Sequence, residues 1–445
     1  MIRRISIYLT IIIPNLFSLC VSYIIIPFTS EMSKIEKNLS PKDIMNKLIL
    51  NDLYTNIDIG TPPQNLNFTL NFHSYQTYIL NYNSSRKFIQ YNKNISSTYI
   101  SLNDKSIFFQ GNDFQSAFNS SDKISINKYL KDYNLNFLLI KKENEDTNIN
   151  FSGSFGLSVV DCGEPLSLDS GLLYNLKKNN LIDNYIFTLI FNKDNFFEGK
   201  VIIGKNIYDK YIDDYFHYSH CIIDYNYNFF FWGWNNFKVN YKDNSFNIYH
   251  AYFKPNSGVI ICSSNIQKIL KNDFFDHKIS EKKCFEENST YHFFYCDNDV
   301  EINIQSFKFL NNKDNITFQI NKEDLIYNYN HKKYFLMVFD KNLKSDTIYL
   351  GIPFLKKYDI IFDQDKRHSG FYNFKIDFKE DEKEEKNDKK IIPEQFKVNY
   401  LWKKISLIIM FLIILLFIYI LFYLYRDIRR KQAKKIIAGF EYSEI

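Results

Sequence analysis

Tyr54-Thr-Asn-Ile-Asp-Ile-Gly-Thr-Pro-Pro-Gln64 decides how the rest of the chain reads. Ile57 and Ile59 alternate with the polar Asn56 and Asp58, the period of a half-buried strand. Gly60-Thr-Pro-Pro then makes a turn, because proline presets the turn backbone. A second short strand, Asn65 to Leu70, delivers the chain to the loop Asn71-Phe72-His73-Ser74. Working outward, short apolar runs recur between Asn, Asp, Gly and Ser: Leu66 to Phe72, Thr77 to Tyr82, Leu135 to Ile140, Tyr185 to Phe191 and Lys200 to Ile203. The pattern predicts a mostly β protein. At 445 residues, 45% hydrophobic and 18% aromatic, the chain can bury a large core and allows a bilobal domain with extras.

Further landmarks follow in order. Ser96-Ser-Thr-Tyr99 precedes Phe109-Gln-Gly-Asn112, and then comes Ser152-Gly-Ser-Phe-Gly-Leu157. Phe187-Thr-Leu-Ile-Phe191 leads to Gly199-Lys-Val-Ile-Ile-Gly204. Ile348-Tyr-Leu-Gly-Ile-Pro-Phe-Leu-Lys-Lys-Tyr-Asp-Ile-Ile-Phe-Asp363 and His368-Ser-Gly-Phe371 close the series. Together these stretches resemble the pepsin-like aspartic protease family over roughly residues 50–378. The resemblance implies an all-β, bilobal fold with an interlobe cleft. It divides the chain into an N-terminal lobe at 47–192 and a C-terminal lobe at 193–378.

In that family the segment Ile-Gly-Thr-Pro-x-Gln leads to apolar-Asp-Thr-Gly-Ser, and each lobe supplies one catalytic aspartate. Counting from Gly60 puts Asn71 at the aspartate, Phe72 at the threonine and His73 at the glycine; only Ser74 is kept. The second loop falls in Ala251-Tyr-Phe-Lys-Pro-Asn-Ser-Gly258. There Asn256-Ser257-Gly258 can match Asp-Ser-Gly, or Ala251-Tyr-Phe-Lys254 can match three apolar residues and an aspartate. Under either alignment no carboxylate is available, because none lies between Asp58 and Asp104 or between Asp243 and Asp273. Gln110, followed by Gly111, stands where the flap tyrosine is expected.

These replacements matter because the chemistry needs two nearby carboxylates that share one proton, one acting as base toward water and the other as acid toward the scissile carbonyl. An amide orients water but cannot shuttle a proton. The resemblance implies an aspartic endopeptidase and the replacements imply loss of that activity, so whether the chain is an enzyme stays open at this point. The expected function is a pseudoprotease that binds a peptide or protein partner in or near the cleft, where an extended peptide can add as a strand without any catalytic group. An active aspartic endopeptidase and an accessory subunit of an active partner are the alternatives. His73 beside Ser74 suggests a nucleophilic pair only weakly, since neighbours on a tight loop point apart and no third orienting group is identifiable. Cys262, near the second loop, reads as structural.

The termini point to a membrane. Arg3 and Arg4 precede an apolar run from Ile5 to Phe17 and small residues at Ser18, Cys20 and Ser22, the pattern of a signal peptide over 1–22. A short polar lead-in at 23–46 follows. Residues 379–404 form a charged stalk, too polar to bury a core. The uncharged run 405–425 has the length of a transmembrane helix. Lys403 and Lys404 precede it, while Arg426, Arg429, Arg430, Lys431, Lys434 and Lys435 follow in the tail 426–445. The positive side stays cytoplasmic, so the expectation is a single-pass type I protein of the secretory pathway or cell surface, with 23–404 lumenal or extracellular. The composition and the anchored architecture resemble the plasmepsin group of apicomplexan parasites. Tyr442-Ser-Glu-Ile445 has the form of a sorting signal.

A secreted context permits disulfides, and Cys284 and Cys296, flanking one hairpin-like stretch, are the expected pair. Cys162, Cys221 and Cys262 remain unassigned. Asn67, Asn83, Asn94, Asn119, Asn150, Asn288 and Asn315 stand in glycosylation sequons. No Cys or His spacing suggests a metal site, and no cofactor is expected. The net charge of +5, without a basic stripe interleaved with aromatics, gives no case for nucleic-acid binding.

Overall fold

The computed structural model describes residues 23–30, 32, 39–81, 90–107, 114–126, 130–143, 151–158, 171–192, 195, 197–205, 216–220, 222–224, 229–311 and 316–372, with a few more between 422 and 430. The described fold is mostly β, with its sheets arranged in two lobes. One sheet of 13 strands carries the first lobe and reaches the strands Ile360–Asp363 and His368–Tyr372 from the end of the domain. A second sheet of 11 strands builds the other lobe.

Each expected strand in the first half forms. Leu53–Ile59 and Gln64–Asn71 pair antiparallel across the Gly60 turn, where Gly60 adopts φ 84°. Along Leu53–Ile59 burial alternates with the sequence, Ile57 and Ile59 inside and Asn56 and Asp58 outside. The strand Gln64–Asn71 buries Leu66, Phe68 and Leu70, and Phe68 packs on Phe155 at 4.9 Å between ring centroids.

One arrangement occurs twice. In the first lobe Gln64–Asn71 runs parallel to Gly153–Gly156, with Asn71 opposite Gly156, and Tyr78–Leu80 flanks the same strand on its other side. In the second lobe Asn244–Phe253 runs parallel to Thr347–Leu350, with Phe253 opposite Leu350, and Ile260–Ser263 flanks that strand. In both, a chain segment leaves one strand, loops, and returns on the far side of a strand contributed by residues some 80 to 100 positions later.

The segment 23–46 is a correction. Rather than a polar lead-in, it belongs to the fold. Ile24–Ser30 pairs antiparallel with Glu198–Ile203 and with the start of Leu53–Ile59, burying Ile24, Ile25, Ile26 and Phe28. A helix, Pro41–Ile49, follows. Its N-cap is Ser40, whose hydroxyl accepts from the Asp43 backbone at 3.2 Å, and proline occupies its first turn. Ile44, Met45, Leu48 and Ile49 lie on one face and pack against Val259, Ile261, Phe293, Leu336 and Val338 of the second lobe. The helical spacing of those four apolar residues behind a Ser-Pro start was the available signal. The polar residues between them masked it.

Cys284 and Cys296 are joined by a disulfide across the antiparallel pair Cys284–Asn288 and Tyr291–Asp297. Cys262 is a free, buried thiol. Cys162 and Cys221, the flap positions Gln110 and Gly111, the signal peptide and the stalk lie outside the described residues, as does nearly all of 405–425. No helix among the described residues is long and apolar enough to cross a membrane.

Candidate functional site

The two loops that end the paired arrangements meet between the lobes. Asn71 closes the first strand. Its side-chain Oδ1 accepts the backbone N–H of His73 at 2.8 Å and that of Ser74 at 3.1 Å, while its own carbonyl accepts from Leu157 N–H at 2.7 Å. The amide oxygen therefore holds the loop shut, a role that any side-chain acceptor can fill at that point. Phe72 turns inward, where its ring lies 6.1 Å from Phe187 and 6.4 Å from Phe362. Trp232 joins the same cluster and donates its indole N–H to the Leu157 carbonyl at 3.0 Å. This aromatic packing, at the place where the family motif has a threonine, supports the floor from below.

The second loop begins at Lys254. The register that sets Phe253 opposite Leu350 carries Lys254 one step on, opposite Gly351, as Asn71 lies opposite Gly156. The backbone N–H of Lys254 donates to the Leu350 carbonyl at 2.9 Å. Lys254 thus stands in the second lobe where Asn71 stands in the first. Pro255, buried, then corresponds to Phe72 and Asn256 to His73. Ser257 and Gly258 lie farther along. The Ser257 hydroxyl donates to the Val259 carbonyl at 3.1 Å, and Gly258 N–H donates to the Leu48 carbonyl of the N-terminal helix at 2.7 Å.

Side chains from both loops converge. His73 is exposed to solvent, and its ring lies within reach of the Lys254 charge and the Asn256 side chain. Desolvation first, then the neighbouring ammonium, lowers its pKa to about 4, against an opposing pull from Asn256. Lys254 is itself held below the ordinary lysine range by desolvation, with the carboxylate of Asp52 opposing. Asn256 Oδ1 is buried and accepts no hydrogen bond of good geometry. Asp52, in the turn after the N-terminal helix, is the carboxylate whose charge reaches the floor. Sequence reasoning missed it, since only the folded helix brings that turn to the second loop.

The other candidates are quiet. Ser74 Oγ accepts from the Gln76 backbone at 3.1 Å, and the groups acting on His73 include no carboxylate to orient it as a base. Burial pushes the Cys262 thiol far up, so it is inert as a nucleophile. Among the described residues no cluster of His, Cys, Asp or Glu is suited to a metal ion.

A second polar cluster, with Asp122 at its centre, fastens the turn before the first loop. Gly60 packs so close to Ser96 and Asp122 that a Cβ there would meet Ser96. The family motif Ser-Ser-Thr-Tyr thus marks a structural joint.

The geometry of a twice-repeated strand–loop–strand unit, one per lobe, with its loops facing each other, matches the expectation drawn from the motifs. The model of the eukaryotic aspartyl protease family matches residues 52–373. The chain belongs to this family. No curated protein matches it at a significant level. Between its two loops this chain brings together the amide of Asn256, the imidazole of His73 and the ammonium of Lys254.

The shifted imidazole gives a pH expectation. The folded state resists protonating His73, whereas the unfolded chain takes up that proton near pH 6.5. The unfolded state then binds more protons, so stability is full above pH 6.5 and is lost as pH falls toward about 4. Melting of the wild type and of His73→Gln, compared at neutral pH and at about pH 5, should show the larger loss in the wild type. Equal losses would mean that the ring is hydrated in the folded state.

Proposed function

We propose that this chain is a pepsin-fold pseudoprotease: its cleft, or the surface around it, binds a peptide or protein partner and does not cleave it. One observation carries the reading. The two loop-starting positions opposite Gly156 and Gly351 are Asn71 and Lys254, so the shared-proton carboxylate pair that the reaction requires has neither member. Among the described residues Asp52 is the carboxylate whose charge acts on Lys254, and it stands on neither loop. The described strands build both lobes of the scaffold, which supports binding as the surviving role. The apolar run at 405–425, with its basic flank at 426–435, supports a single-pass type I placement in the secretory pathway or at the cell surface. The test is recovery: random peptides captured by the full chain should be eluted intact, as judged by mass spectrometry. Elution of fragments with a consistent cut would refute the reading.

A further inference from the structure

The cleft floor has changed sign. A protease of this fold holds a shared-proton carboxylate pair between its loops, an acidic centre. Here the same place holds Lys254, with His73 kept neutral beside it at physiological pH and Asn256 on the same loop.

Among the described residues the Lys254 ammonium makes no ion pair and no hydrogen bond; it makes a cation–π approach, 5.7 Å from the centre of the Tyr349 ring, and its charge reaches His73. The side chain is partly buried, and its charge is disfavoured there. A desolvated ammonium with three unused donors is costly unless an anion answers it. Asp52 opposes the cost only through its field, from beyond ion-pair distance. The lysine cannot be reassigned to a structural pair elsewhere in the described fold.

The Tyr349 ring and the rings that continue from it define the surroundings. Tyr349 stacks on Tyr252 at 5.4 Å, and Tyr252 stacks on His250 at 5.6 Å. His250, Tyr252 and Lys254 alternate along one chain and share a face, so an aromatic wall leads up to the ammonium. That wall suits the apolar body and backbone of a peptide better than a small inorganic ion, and the ammonium suits a carboxylate.

We infer that the cleft floor is a carboxylate-recognition site, in which an extended peptide seats an acidic side chain, or its terminal carboxylate, against Lys254. The inference rests on the reading of the cleft as a groove that binds without cutting. The carboxylate occupies the ground left by the lost aspartates and takes hydrogen bonds from the ammonium. Asn256, on the same loop, engages the His73 ring beside the ammonium.

The experiment measures binding of the full chain to N-acetylated, C-amidated decapeptides that carry Asp, Glu, Asn or Gln at one central position, and to unamidated versions with neutral side chains. Fluorescence anisotropy gives the affinities for the wild type, Lys254→Gln and Lys254→Arg. The site predicts binding about tenfold tighter for Asp or Glu than for the matching amide, or for the free C-terminus than for the amidated one. Whichever arm responds identifies the source of the carboxylate. The preference should vanish in Lys254→Gln and persist in Lys254→Arg, with melting temperatures confirming that both variants fold. Peptides that bind with no acid-over-amide preference, or with one that survives Lys254→Gln, would overturn the carboxylate site and leave the binding groove standing. Failure of every peptide to bind would overturn both.

Discussion

Gly351→Ala is expected to destabilise the domain by about 3 kcal/mol or more, among the larger effects a single methyl group can produce. A Cβ at Gly351 would fall far inside van der Waals contact of the Val259 and Ser257 carbonyls. Those are backbone atoms of the second loop, and the Ser257 carbonyl also accepts from Ile352 N–H at 2.7 Å, so neither can move without breaking the join. Gly156 is in the same position in the first lobe, where a Cβ would press on the Tyr75 carbonyl and the Gln76 backbone nitrogen. Gly156→Ala should therefore cost a similar amount. Gly258→Ala is the internal control. Its Cβ would approach the Leu48 carbonyl at 3.0 Å, a contact the end of a helix can relieve by a small shift. Denaturant titration of the full chain should rank Gly351 and Gly156 well above Gly258. Equal, small effects would mean that the central strands do not cross behind the loops as described.

Asp122→Ala should cost about 4 kcal/mol, because it removes an ionised acceptor from a filled buried network. Asp122 is 1% exposed. Its Oδ2 accepts from Tyr91 OH at 2.6 Å and Ser96 Oγ at 2.7 Å. Its Oδ1 accepts from Thr98 Oγ1 at 2.6 Å and the Lys123 backbone at 2.8 Å. Alanine would leave these donors facing a void, and Tyr91, fully buried, has no route to water. The carboxylate also raises the Tyr91 phenol pKa, adding to the effect of burial. Since Ser96 in turn accepts from the Thr61 backbone, the loss should loosen the turn that leads into the first loop. Tyr91→Phe removes one donor and should cost about 1 kcal/mol. If Asp122→Ala proved as mild as Tyr91→Phe, water would have to reach the network.

The frame of the fold was legible because each lobe repeats one strongly patterned unit. The alternation in Tyr54 to Ile59, the Gly-Thr-Pro-Pro turn and the glycines of Phe155-Gly156 and Leu350-Gly351 all encode local or packing constraints that a sequence displays directly. The basis of the proposed loss of activity is just as direct: the windows between Asp58 and Asp104 and between Asp243 and Asp273 hold no carboxylate. The missed features depend on contacts distant in sequence. The strand Ile24–Ser30 reads as part of a polar lead-in until Glu198–Ile203 pairs with it. The equivalence of Lys254 with Asn71 is hidden in the sequence because Asn256-Ser257-Gly258 imitates the motif in composition, and it is the pairing with Thr347–Leu350 that sets the register. Asp52 and Lys254 are two hundred positions apart, so no spacing rule joins them.

The central claim is that this aspartyl protease fold lacks the chemistry of its family. The most direct measurement is cleavage of a peptide library by the full chain from acidic to neutral pH, with and without an active-site inhibitor of aspartic proteases. The account predicts no inhibitor-sensitive cleavage at any pH, with Asn71→Ala indistinguishable from the wild type. Cleavage that the inhibitor abolishes, and that survives Asn71→Ala, would contradict it and place the active carboxylates somewhere other than these two loops.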